Sequence, residues 1–207
     1  LHQFGRLWHG EKCLDFNDLA ANEILSLAFS RFQVETVSLD IMMPALKRIG
    51  EMWHQGLISI QQEHFATEVI SRRLQSLLLA APNPVLPGRI IIGSAPVDSH
   101  SISALILAVL MRNKSRDVIY LGANVPSDQI QKMVTKTRPV LMVLVSTTVQ
   151  SVLPLILQRK NWDSLQTGLV ITGRILSVYP QLEKVLPGKV VSGNFQNGLN
   201  QIESYLD

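Results

Sequence analysis

The chain has 207 residues, 46% apolar, 17% charged and 6% aromatic. That balance excludes a disordered chain, and no apolar run, Val140 to Val145 included, nears the ~18 residues a spanning helix needs. One cysteine, Cys13, excludes an internal disulfide and any multi-cysteine metal site. The net charge of +3 divides unevenly: residues 1–80 hold seven Lys/Arg against nine Asp/Glu, and residues 81–207 hold twelve against seven. Neither half carries a basic stripe interleaved with aromatics, so any contact with DNA is expected only through a module outside this chain. With no secretory signal at Leu1, the expected setting is reducing and cytoplasmic, away from membranes.

Up to Ala80 the apolar residues recur at helical spacing. Leu19, Ile24, Leu27 and Ala28 form one set; Met42, Leu46, Ile49 and Trp53 form a second, with Pro44 expected in the first turn of its helix. Gly56 supplies a stop, and Ser59 with Gln62 reads as a capping box opening a helix through Phe65, Val69, Ile70, Leu74, Leu77 and Leu78. Residues 1–80 are therefore expected to form a helical bundle of about four helices. The segment 81–88, with Pro82, Pro84, Pro87 and Gly88, reads as a linker.

From 89 to 207 short β-rich runs alternate with helical stretches. Arg89–Gly93, Val118–Leu121, Val140–Val145, Leu169–Thr172 and Lys189–Val191 read as strands. Helices are expected over Ile102–Arg112, Ser127–Lys136, Val152–Arg159, Val178–Val185 and Asn197–Leu206. Five such units imply a flavodoxin-like (Rossmann-like) doubly wound, five-stranded parallel sheet, whose ligands sit beyond the carboxyl ends of the strands.

The first strand exit contains Asp98 and His100. A carboxylate on one imidazole nitrogen fixes the tautomer and makes the other nitrogen a better ligand, which suits an axial metal ligand. A loop histidine beside a helix-capping aspartate is the competing reading. In the helical half Trp53 and His54 close one helix while Glu63 and His64 open the next, so an indole, two imidazoles and a carboxylate gather near one bundle end. Taken singly, Trp53 reads as partly core and Glu63 as a residue suited to a helix N-terminus. His2 and His9 read as surface. There is no nucleophile elbow, P-loop or G-x-G-x-x-G, so an enzyme acting alone is not expected.

Trp53, nine residues, then Glu63-His64 resembles the W-x9-E-H pattern of the helical cap in CarH/LitR-type regulators, cobalamin-binding transcription factors of the MerR family, many of them photoreceptors. Asp98-Ser99-His100-Ser101-Ile102-Ser103 is similar to the D/E-x-H-x-x-G signature of base-off, His-on cobalamin domains, and Tyr120-Leu121-Gly122 through Pro126 to their Y-L-G-x-x-x-P stretch. The resemblance implies a light-responsive sensory module holding adenosylcobalamin between helical cap and α/β domain, with homo-oligomerisation as its output. It implies His100 as lower cobalt ligand with Asp98 orienting it, and Trp53 over the upper face with Glu63 and His64 beside it. His54 would take the upper position after loss of the adenosyl group, and Ser146 and Thr148 would lie at the nucleotide tail.

The sequence departs from that pattern at Ser103, which replaces the signature glycine; at Ser146-Thr147-Thr148, where a leucine is expected third; and at Gly173-Arg174, where two glycines are expected. Arg174 either swings out, fills the tail slot or contacts the nucleotide phosphate. With the tail positions altered, haem or another tetrapyrrole, or a ligand-free antirepressor-like interaction domain, is the alternative; a corrinoid carrier for a methyltransferase is the third.

Overall fold

The computed structural model describes residues 14–206, so Cys13, His2 and His9 lie outside the described residues. It divides into two compact units, Leu1–Leu77 and Leu78–Asp207.

In the first unit, helix α1 (Asp18–Arg31) starts where the Asn17 side chain accepts the Ala20 N–H at 3.0 Å. Its buried face is Ala21, Leu25 and Ala28; the expected stripe is off by one ridge, because Leu19 is 77% exposed and Leu27 is also exposed. The second helix, α2 (34–54), is one unbroken run of an α-turn (Val34–Thr36), a π-helical stretch (Val37–Met42) and an α-helix (Met43–His54). Pro44 lies in the first turn of the α-helical stretch Met43–His54, as expected, but that stretch continues the π-helical one instead of opening a new helix. Wider i→i+5 bonding absorbs the missing N–H and the ring there, so the chain passes through a proline without ending the helix. Three long helices thus lie among the described residues of this unit.

At the end of α2, Gly56 takes φ +71° and donates to Trp53 O at 2.9 Å, the left-handed stop the sequence suggested. Helix α3 (Ile60–Ala80) opens with the reciprocal capping box: Gln62 Oε1 accepts the Ser59 N–H at 2.8 Å, and Ser59 Oγ accepts the Gln62 N–H at 3.2 Å. An Asp18–Arg72 ion pair and Arg73 Nη2 donating to Ser26 Oγ at 2.7 Å tie α3 to α1.

The second unit is a five-stranded sheet in the order β2-β1-β3-β4-β5, every pairing parallel. The strands are β1 (Arg89–Ser94), β2 (Asp117–Gly122), β3 (Leu141–Val145), β4 (Gly168–Thr172) and β5 (Lys189–Val191). Between and after them run α4 (Ile102–Asn113), α5 (Ile130–Thr137), α6 (Val149–Leu157), α7 (Arg159–Asp163), α8 (Arg174–Val178) and α9 (Phe195–Ser204). All five strands fall where the β-rich runs placed them, and the order is the flavodoxin-like one. The expected α plus flavodoxin-like architecture holds.

Helix boundaries depart from expectation where side-chain bonds or proline decide them. α6 begins three residues earlier than periodicity suggested, because Thr148 Oγ1 caps the Ser151 N–H. The helix expected over Val178–Val185 is instead α8 ending at Val178 and a separate 3₁₀ turn, Pro180–Lys184. Pro180 forbids helical geometry at Tyr179, which sits at φ −128°, ψ 73°. One face of the sheet packs Ile91, Met142, Leu144 and Ile171 against Val152, Leu155, Trp162 and Ile175 in a continuous core.

β1 lies between β2 and β3, and consecutive connections leave it in opposite directions. Crossovers diverge at that point, so the β1 exit loop stands at the mouth where this fold takes ligands.

Candidate functional site

Asp98 is fully buried at the β1 exit, and its carboxylate collects four hydrogen-bond donors from two loops. Oδ1 accepts the His100 backbone N–H at 3.0 Å and lies 3.0 Å from His100 Nδ1. Oδ2 accepts the Thr147 N–H at 2.6 Å, and Thr147 Oγ1 sits 2.9 Å from both oxygens. Burial pushes this carboxyl's pKa up. The His100 ring, the two backbone N–H groups and the Thr147 hydroxyl more than offset it and hold the pKa at about 2.

Asp98 is therefore ionised at neutral pH and can only accept. The proton between it and the imidazole then belongs to Nδ1, so in the neutral form of the ring the lone pair is on Nε2. The His100 side chain is 65% exposed. Ser94 Oγ donates to His100 O at 2.9 Å and Tyr120 Oη to Ser101 O at 3.3 Å, pinning the loop at two further points. Burial raises the Tyr120 pKa, the Ser101 bond opposing it, so the phenol stays a donor. The result is a rigid, tautomer-fixed, solvent-facing imidazole.

Among the described residues no group of three or more His, Cys, Asp or Glu could hold a metal ion. A single placed imidazole suits a metal whose equatorial donors come with it, as in a tetrapyrrole or corrin ring. Ser103 lies half-buried in the first turn of α4.

The positions expected at the nucleotide tail are occupied by protein bonds. Ser146 is fully buried, with its Oγ 2.6 Å from Ser151 Oγ. Either hydroxyl can donate in that pair, and Ser151 Oγ also lies 2.8 Å from Thr148 O, so the two hydroxyl protons are shared between these two contacts. Thr148 Oγ1 caps α6. Gly173 has φ +126°, and a Cβ there would fall 2.1 Å from Ser146 O; its bareness lets the β4 exit lie against the β3 exit. Arg174 is exposed and swings out. The residues present thus fit an axial imidazole ligand and do not fit an inserted tail.

In the helical unit the Trp53 and His54 rings lie 4.7 Å apart and tilted by 38°. Trp53 is 40% exposed; its helix ends one residue later, so the indole stands on the last turn instead of joining the core. Glu63 is half-buried, with Oε2 at 2.9 Å from His64 Nδ1 and Oε1 accepting from Thr67 Oγ1 at 3.1 Å. The structure thus pairs Trp53 with His54, Glu63 with His64, and Asp98 with His100.

Sequence reasoning missed Thr147, which brings two of the four donors to Asp98, and Asn124. Asn124 Oδ1 accepts the Val97 N–H at 2.6 Å, and its N–H donates to Asp98 O at 2.9 Å. The signal for Asn124 was its type: it sits at φ 49°, a conformation asparagine tolerates better than most residues.

Residues 10–78 match the model of the B12 binding domain family. The chain is 31% identical over 103 residues to the HTH-type transcriptional repressor CarH of Myxococcus xanthus, covering 48% of this chain and 33% of that protein. It is 25% identical over 135 residues to the HTH-type transcriptional repressor CarA of the same organism, covering 65% of this chain and 44% of that one. The matches thus span less than half the length of either relative. Among solved structures, a monomethylamine corrinoid protein of Methanosarcina barkeri shares the fold, with TM-score 0.76, 15% identity and 98% of each chain covered. A cobalamin-binding protein from Desulfitobacterium hafniense aligns over 100% of both chains at TM-score 0.50 and 17% identity. The resemblance to the cobalamin-binding region of CarH-type regulators is borne out, with the family match confined to residues 10–78. Among the described residues no helix is long and apolar enough to cross a membrane.

Proposed function

We propose that this chain is the cobalamin-binding sensory region of a transcription regulator: it holds adenosylcobalamin through His100 and reports the state of the upper ligand, light being the stimulus. The role is regulatory, not enzymatic, and DNA is reached through a module outside these residues. The observation that carries this reading is the Asp98–His100 pair, a fully buried carboxylate fixing an exposed imidazole at the mouth of the sheet.

The roles divide by chemistry. Asp98 keeps the proton on His100 Nδ1, so that Nε2 would be the atom that holds the cobalt of a bound corrinoid. Thr147 and Ser94 hold the two loops so that the imidazole does not reorient. Cobalt, when bound, supplies a carbon–metal bond that light can break. Trp53 offers an apolar surface suited to an adenosyl group, and His54 an imidazole suited to the metal after that group departs. A ligand shifts an equilibrium only through unequal affinity for two states, and here the adenosyl group supplies the inequality. Homo-oligomer assembly is the output we assign to that shift.

Titration of the full chain with adenosylcobalamin in the dark, followed by green light, tests the reading. The expected result is co-elution of the corrinoid, a His-ligated absorption spectrum lost in His100→Ala, and a light-dependent change in assembly size. Binding without any response to light, together with transfer of a methyl group from the bound corrinoid to a partner, would favour a carrier. Absence of corrinoid binding would sink the proposal.

A further inference from the structure

We infer that this chain grips a corrinoid by its ring and axial histidine alone and leaves the nucleotide tail outside the protein, so that its ligand class extends to corrinoids with no tail at all. The inference rests on the cobalamin reading above and narrows it.

The first argument is about donors. A benzimidazole released from cobalt exposes a ring nitrogen that accepts hydrogen bonds, and burying it without a donor costs about 1–3 kcal/mol. Ser146 is the residue the resemblance put there. Its hydroxyl is already bonded to Ser151 Oγ at 2.6 Å, and the Ser151 hydroxyl also lies 2.8 Å from Thr148 O. Two hydroxyl protons serve these two contacts, so turning the Ser146 proton to that nitrogen gives up one of them.

The second argument is about space. The three strand exits around Ser146 are laced to one another. Ala95 N–H donates to Val145 O at 2.8 Å, joining β1 to β3, and Ser146 N–H to Thr172 O at 2.7 Å, joining β3 to β4. Ile175 N–H closes onto Ser146 O at 3.4 Å, and Thr147 N–H onto Asp98 Oδ2 at 2.6 Å. Ser94, Val145, Ser146, Ser151 and Val170 are all buried. Opening a slot would break several of these bonds, and among them is the one that fixes Asp98 under His100.

In free cobalamin the lower cobalt position is held by the ligand's own tethered benzimidazole. Binding to His100 breaks that cobalt–nitrogen bond and forms another from the Nε2 lone pair, with no net proton change. If the freed base then finds no site, its detachment is uncompensated, and the tether keeps it as a competitor at high effective concentration. A cobinamide, which has only water to give up at that position, escapes the penalty.

The test is a spectrophotometric comparison of aquacobalamin and diaquacobinamide binding to the full chain and to Arg174→Gly. We expect cobinamide to bind as tightly as cobalamin or tighter, and the ratio to be unchanged in Arg174→Gly because that side chain already stands outside. Cobalamin binding tighter by roughly tenfold or more in the native chain would overturn the inference and leave the sensory reading intact. The same gain appearing only in Arg174→Gly would overturn it too, by showing that the arginine and not the laced strand exits excludes the tail. Failure of both corrinoids to bind would remove the proposed function and this inference together.

Discussion

Replacing Asp98 with asparagine tests the account of the site at its narrowest point. The amide keeps the shape but offers one oxygen where the carboxylate offers two. Whichever way it turns, an NH2 group faces donors: the Thr147 N–H on one side, or the His100 N–H and ring on the other. At least one buried donor loses its acceptor and the remaining bonds lose their charge, which sums to about 3 kcal/mol of destabilisation at pH 7.

The pH dependence adds a second reading of the same bonds. The carboxyl sits at about 2 in the folded chain against 3.8 unperturbed, so the native state is favoured by about 2 kcal/mol whenever the group is ionised in both states. The folded pKa is depressed, so this stability is present above about pH 4 and is lost as pH falls towards 2. Asp98→Asn has no such dependence at this position, and the gap between the two proteins should narrow over that window. Urea unfolding followed through Trp162, the one tryptophan after residue 80 and fully buried, reports on this unit once Trp8 and Trp53 are changed to phenylalanine. Equal stability of the two proteins at pH 7, or a gap undiminished near pH 2.5, would refute the carboxylate's role as an ionised acceptor.

Two further outcomes follow from named contacts. Gly173→Ala places a methyl 2.1 Å from Ser146 O at a φ of +126°, and should cost upwards of about 3 kcal/mol in urea unfolding; a loss under about 1 kcal/mol would mean the β3 and β4 exits are not in backbone contact. Ser59→Ala removes one half of the capping box on α3 and should cost about 1 kcal/mol, read by helix signal on thermal unfolding of the full chain.

The sheet was legible because parallel strands buried on both faces must be apolar throughout, and runs such as Ile90-Ile91-Ile92 and Leu141 to Val145 have no helical reading as good. The capping box was legible because both partners lie within four residues of each other. What escaped depends on contacts that no local pattern carries. Leu19 and Leu27 looked like a core stripe, but smaller residues, Ala21 and Ala28, allow α1 closer packing, and the leucines turn outward. Trp53 completes a stripe on paper; its helix ends one residue later, so the core it would have joined stops short of it.

Thr147 is the more instructive omission. Nothing in Ser146-Thr147-Thr148 marks the middle residue, and motif comparison draws attention to the two on either side. The topology nevertheless contains it. Once β1 is the neighbour of β3, the register Gly93↔Leu144 and Ser94↔Val145 carries residue 147 alongside the loop that begins at Ala95 and holds Asp98. A buried carboxylate in that loop needs donors, and its own loop supplies only those of His100. The remaining two must come from the adjacent strand exit, which Thr147 provides with both its N–H and its hydroxyl. An axial histidine in this fold is therefore set by two loops at once. The tighter β3 is held to β1 for that purpose, the less room remains between the same strand exits for anything else.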